Sequence, residues 1–189
     1  MIWKWSASSQ YCSSSAYRAL HLGSVAFLGS KLIWRSWLPL RVKIFLWLAF
    51  RRRHWTADRR RWHGLEAREL CWLCEPEPET CDHLIFRCRF ARVVWRLVLN
   101  KAGLQLPSNE DCSCLLEWWH KFRGCWPTPL KKGADTLFGL VCWSIWKHRN
   151  ACCFKEERAS VATVFRNVRE TAELCSLGGA AGLGPLGLI

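Results

Sequence analysis

Four residues in the middle of the chain carry the clearest chemistry. Cys71 and Cys74 are separated by two residues, eight residues lead to His83, and four more lead to Cys88. A C-x2-C pair forms a tight knuckle whose two sulfurs can face one ion, and the H-x4-C pair can supply two further donors from the start of a helix. Four such ligands with no vacant position are what a structural, tetrahedral Zn²⁺ site requires. A catalytic zinc would need an open position and a general base. A thioredoxin-like redox pair would need a strand before the C-x2-C and a helix opening at it, whereas a helical pattern ends just upstream. Cys81 is the main competitor as a ligand, but its use would give a C-x6-C closing pair and leave His83 spare. His63 is a weaker competitor, read as a residue at a helix end. The other cysteines (12, 112, 114, 125, 142, 152, 153 and 175) lack paired spacing and read as small buried hydrophobes.

Charge supplies the second signal. Of the net +13, +11 falls in residues 1–68, where thirteen Lys/Arg stand against Asp58 and Glu66 alone. That asymmetry points to a polyanionic partner, because neutralised phosphates release counterions. Arg51, Arg52, Arg53, Arg59, Arg60 and Arg61 are the candidate nucleic-acid contacts. A competing reading places both clusters in last helical turns, where cations complement the helix dipole. Trp55 and Trp62 interleave with them and could stack on bases, although core packing is the commoner fate of an indole. Fourteen tryptophans and a half-hydrophobic composition supply a sizeable core.

The elements that must position these groups read as helices. Ser13–Ser15 offer N-caps, and Pro39 opens a helix carrying Val42, Phe45, Leu46 and Ala49 on one face. Thr56 caps a short helix through Arg59–Arg61 to Gly64. Glu75-Pro76-Glu77-Pro78-Glu79 reads as an exposed loop, since two prolines deny the backbone a ladder or helix, and Glu79 and Asp82 read as solvated. Phe90, Val94, Trp95 and Val98 mark an amphipathic helix ending before Gly103. Further helical patterns lie near Cys114–Arg123, Asp135–Asn150 and Ser160–Leu174, and strand-type alternation is scarce. The expected fold class is mostly α, a small zinc-stapled helical domain with a C-terminal helical extension. The expected division is 10–98, a helical extension over 99–175, and a weakly ordered Gly/Leu-rich tail over 176–189.

Twelve cysteines are about 6% of the chain, below the roughly 8–10% of a disulfide scaffold. The N-terminus lacks an apolar h-region, and no apolar run reaches the roughly 18 residues of a membrane span outside the terminal Gly-rich tail. These features suggest a reducing intracellular compartment, with nucleus and cytoplasm not distinguished, and no membrane partner.

The ordered signals Tyr11-Cys12-Ser13-Ser14-Ser15-Ala16-Tyr17, Trp34-Arg35-Ser36-Trp37-Leu38-Pro39 and Val42-Lys43-Ile44-Phe45-Leu46-Trp47-Leu48-Ala49 form a specific pattern. It continues through Thr56-Ala57-Asp58-Arg59, the C-x2-C, and Glu79-Thr80-Cys81-Asp82-His83-Leu84-Ile85-Phe86-Arg87-Cys88 to Phe90-Ala91-Arg92-Val93-Val94-Trp95. Over roughly residues 10–98 it resembles the reverse-transcriptase zinc-binding domain of plant non-LTR (LINE-type) retroelements. Trp143–Asn150 resembles the helical segment that often follows that domain. Leu174–Ala180 resembles the closing segment of such proteins. The resemblance implies a zinc-stabilised helical module that helps a reverse transcriptase hold nucleic acid, with the ligands mapping onto Cys71, Cys74, His83 and Cys88. RNA is the favoured nucleic acid on that ground, because the family acts on an element transcript and single strands expose bases.

No two aspartates are adjacent anywhere, so no polymerase metal site is expected, and no nuclease set of carboxylates assembles by spacing. The expectation is therefore a non-enzymatic module detached from its polymerase, with a reverse-transcriptase domain as a possible partner. A zinc-stapled protein-interaction module, docking through its Trp-rich face or Trp143–Asn150, is the rival. A non-functional retroelement fragment is the third reading.

Overall fold

The computed structural model describes residues 3–6, 8–20, 29–108 and 111–187. The chain divides into a small N-terminal unit, residues 1–30, and a large unit, residues 31–189. In the first, α1 (Ser13–Leu20) buries Ser15 alone. The Ser15 hydroxyl accepts the Trp3 indole N–H at 2.8 Å and donates to the Cys12 carbonyl at 2.7 Å.

The large unit is helical, as expected, with no strand among the described residues. Its helices are α2 (Ser30–Arg35, whose first residue closes the preceding unit), α3 (Leu40–Phe50), α4 (Ala57–Trp62), α5 (Arg89–Lys101), α6 (Leu115–Gly124), α7 (Lys131–Lys155) and α8 (Val161–Leu177). α7 is the axis of the unit. Every residue from Gly133 to Cys142 is buried, and a helix apolar on all sides belongs inside a core. α3, α5, α6 and α8 pack against it. Gly139 makes room for Leu38, just before α3: a Cβ there would stand 2.3 Å from Leu38 Cδ1. Trp119 stacks on Phe138 at 4.7 Å, and Trp95 meets Phe122 edge-on at 5.3 Å. The buried Trp95 and Trp119 N–H groups are satisfied by the Ile85 carbonyl and by Asp135, as buried indoles require.

Three local expectations change in the structure. α3 ends at Phe50, so Arg51–Arg53 follow the helix instead of forming its last turn; Arg52 adopts a left-handed φ of 51°. Thr56 does precede α4, but its side chain makes no cap. Glu79 Oε1 accepts the Ala57 N–H at 3.1 Å in its place. The tail expected to be weakly ordered buries Ala180, Leu183 and Leu186. At its anchor Gly182 meets Gly133 so closely that a Cβ on Gly133 would fall 2.0 Å from the Gly182 oxygen. Leucines at short spacing can find a core even in a Gly-rich segment, because only their apolar area matters. No described helix is long and apolar enough to cross a membrane.

Candidate metal centre and basic face

A short hairpin shapes the knuckle. Leu70 and Pro78 form an isolated antiparallel bridge, flanked by Cys71 N–H to the Glu77 carbonyl (2.8 Å) and Glu79 N–H to the Glu69 carbonyl (3.0 Å). The prolines do not prevent this, because Glu77 and Glu79 alternate with them and supply the groups the pairing uses. Glu75, at φ 69°, returns its N–H to the Cys71 carbonyl at 2.9 Å and closes the turn around Cys74. The exposed loop expected over 75–79 is therefore a structured arm with Glu79 fully buried.

The second pair of donors rises from a π-helical turn, His83–Arg87, closed by Cys88 N–H to the His83 carbonyl at 2.7 Å. The Thr80 hydroxyl accepts the His83 N–H at 3.0 Å. Cys88 is also the N-cap residue of α5, so the fourth donor sits where that helix begins.

These elements bring Cys71, Cys74, His83 and Cys88 together, with their four donor atoms all within 4.8 Å of one another. Cys71 and Cys88 Sγ are 3.9 Å apart, and Cys74 Sγ lies 3.3 Å from His83 Nε2. Ligand bonds of about 2.0–2.3 Å to a tetrahedral zinc imply donor–donor edges of roughly 3.3–3.8 Å. Cys71, Cys88 and His83 are buried and Cys74 partly so. The Cys88 thiol beside it holds Cys71 down to about 4, while that shared proton and burial hold Cys88 far above the usual thiol range. Burial raises Cys74. Three sulfurs and one imidazole nitrogen converging at these separations are the donors and the spacing of a tetrahedral site, so the set fits Zn²⁺.

Glu77, expected only as part of an exposed loop, stands behind the histidine. Its Oε2 lies 3.3 Å from His83 Nδ1. With Nε2 turned towards the sulfurs, Nδ1–H can donate to that carboxylate, the arrangement that fixes a zinc-bound imidazole. The competing donors are occupied elsewhere. Cys81 points its thiol at the Ala49 carbonyl (3.7 Å), and burial pushes it up to about 12. His63 is exposed between Trp55 and Trp62, with ring centroids 5.2 and 4.8 Å away.

A buried ion pair ties the zinc arm to the core. Glu79 is 0% and Arg149 2% exposed. Arg149 Nε donates to Glu79 Oε2 at 2.9 Å and Nη2 donates to Oε1, a two-point pair across seventy residues of sequence. Glu79 thus caps α4 and anchors α7 with one carboxylate, where the sequence suggested a solvated acid. A glutamate beside two prolines carries no local sign of a distant arginine. Asp82 is partly buried and pairs with Arg52 at 2.6 Å.

The basic candidates separate. Arg61 pairs with Glu69 at 2.8 Å, and Arg51 lies over the Trp47 ring. Arg59 lies over the Trp62 ring at 4.5 Å. Arg53 is exposed and Arg60 partly so, and neither has a carboxylate partner among the described residues. Trp55 and Trp62 are 53% and 72% exposed, against the expectation of core packing. Trp143–Asn150 lies inside α7 with Ser144, Ile145, His148 and Arg149 buried, so most of that stretch faces this chain's own core. Among the scattered cysteines, 112, 142 and 152 are buried as expected. Cys12 is exposed, and hydrogen bonds from Ser14 and Ser15 lower it to about 7.

Residues 11–95 match a family model described as zinc-binding in reverse transcriptase. A protein of Arabidopsis thaliana named as a ribonuclease H protein is 27% identical over 164 residues, covering 82% of this chain and 25% of its own length. The chain thus spans about a quarter of the length of the curated relative it matches. No solved structure matches. Together, the four clustered donors and the match over 11–95 support a zinc-binding module derived from a retroelement, similar over that stretch to the zinc-binding segment of reverse transcriptases.

Proposed function

We propose that the chain is a non-catalytic, zinc-stapled accessory module that holds single-stranded nucleic acid, RNA by preference, for a reverse transcriptase of a plant LINE-type element. The observation that carries this reading is the aromatic platform on the α3–α4 side. Trp55, His63 and Trp62 form a solvent-facing series of rings, with Arg59 lying over Trp62 and Arg53 and Arg60 nearby in sequence. Exposed rings beside unpaired guanidiniums suit strands whose bases are free to stack, and the arginines add phosphate contacts. The closed Cys3His donor set leaves no coordination position for substrate, which favours a structural role for the ion. Its sulfur donors suit a reducing compartment, which favours an intracellular setting. The ribonuclease H name belongs to a protein about four times as long as the aligned portion, and that chemistry is not part of this proposal. A role as a protein-docking module is less favoured, because the Trp143–Asn150 helix is largely spent on the internal core.

The test is a titration of the zinc-loaded chain with labelled oligouridylate across a salt series. The expected log–log slope is about −0.7 per phosphate neutralised. Trp55→Ala with Trp62→Ala should weaken binding by about 1–3 kcal/mol per base no longer stacked. Absent or salt-independent binding would overturn the proposal, as would equal affinity of the double variant.

A further inference from the structure

α5 starts at the residue after Cys88 and reads Arg89-Phe90-Ala91-Arg92-Val93-Val94-Trp95-Arg96-Leu97-Val98-Leu99-Asn100-Lys101. Its apolar side is buried through Phe90, Ala91, Val94, Trp95, Val98 and Leu99. On the other side Arg89, Arg92, Arg96 and Asn100 recur at spacings of three and four residues, which places them in one stripe. The helix contains no Asp or Glu. None of the three arginines has an ion-pair or hydrogen-bond partner among the described residues.

The chain's own physics disfavours this arrangement. Arg89 and Arg92 stand at the N-terminal end of the helix, where the macrodipole opposes positive charge. Arg92 and Arg96, four apart, repel each other. The arginines of α4 differ, since they occupy a last turn that welcomes cations and Arg61 has its glutamate. Solubility explains scattered charge, but it does not explain a one-sign stripe set against its own helix.

The stripe borders a cleft of about 420 Å³, where Arg92, Arg96 and Asn100 face Gln105, Leu106 and Pro107. No carboxylate among the described residues lines it. Guanidiniums along one wall, two amides able to donate and accept, and an apolar rim match the three parts of a nucleotide: phosphate, sugar or base edge, and base face.

We infer that the α5 stripe and its cleft form a second contact for the backbone of a single-stranded nucleic acid. It is separate in sequence from the arginines of the α3–α4 region, and it is aimed by the zinc ligand Cys88 that begins the helix. This rests on the nucleic-acid reading given above and extends it to residues to which that reading gives no part. The rise of about 1.5 Å per residue spaces Arg89, Arg92 and Arg96 roughly 4.5 and 6 Å apart along the axis, within reach of successive phosphates.

The zinc-loaded full chain is titrated with oligouridylate across a salt series, as wild type, Arg92→Gln/Arg96→Gln, Arg92→Lys/Arg96→Lys and Arg59→Gln/Arg60→Gln. Losing two phosphate contacts should reduce the log–log slope by about 1.4 in the α5 Gln pair, and the Lys pair should keep most of it. Phenylglyoxal footprinting of the wild type, which needs no variant to fold, should show RNA protecting Arg92 and Arg96. If only the α4 pair flattens the slope, with Arg92 and Arg96 unprotected, this inference fails while the broader reading stands. Wild-type chain without salt-dependent RNA binding ends both. Protection by phosphatidylserine vesicles but not by RNA makes the occupant a lipid headgroup and also overturns the inference.

Discussion

Glu79→Gln tests the architecture most sharply, because one carboxylate serves three elements. It accepts two hydrogen bonds from Arg149 and one from the Ala57 N–H, and both members of the ion pair are buried to 2% exposure or less. The substitution keeps size and most of the capping capacity but leaves a guanidinium buried without a counter-charge. Removing one partner from such a pair costs about 3–5 kcal/mol. For a unit of this size each kcal/mol moves the melting temperature by about 2–4 °C, so the expected fall is roughly 6–20 °C. Calorimetry of the zinc-loaded chain reads it directly. Arg149→Met should be similarly harmful alone, whereas the double variant should recover much of the loss, since no unpaired charge remains. Zinc stoichiometry should stay unchanged in Glu79→Gln, because Glu79 is not a ligand. A melting temperature within a degree or two of wild type, or strictly additive single effects, would show that the pair does not hold the zinc arm to α7.

Two further outcomes follow from the same geometry. Glu77→Ala removes the carboxylate behind His83 Nδ1 and should weaken zinc binding by about 10–100-fold in competition with a chromophoric chelator, while the thiolate count is unchanged. His148 is buried, its Nε2 accepts the Ser160 N–H at 2.9 Å, and burial lowers its pKa, as burial also does for His54. The unfolded chain therefore takes up these protons first, so their contribution to stability is complete above about pH 6.5 and is lost as pH falls from there towards the folded values. Urea midpoints should decline over that window, and His148→Gln should reduce the decline.

Much of this protein is written locally in its sequence. The C-x2-C-x8-H-x4-C spacing is enough to bring four donors to one point, because a knuckle and a single helical turn are short-range structures with few alternatives. The helical periodicity of Val42 to Ala49 and Phe90 to Val98 likewise marks faces that must be buried wherever the chain folds. What tertiary structure alone decided are the long-range pairings and the sorting of like residues. Glu79 was one of several acids beside a zinc loop until Arg149 met it, and Glu77 was indistinguishable from Glu75 until the hairpin turned one of them behind His83. Trp55 and Trp62 look no different in sequence from Trp118 and Trp119, yet the first pair is in solvent and the second fully buried. Burial depends on what packs above a residue, and that is set by partners many residues away, which no local spacing encodes.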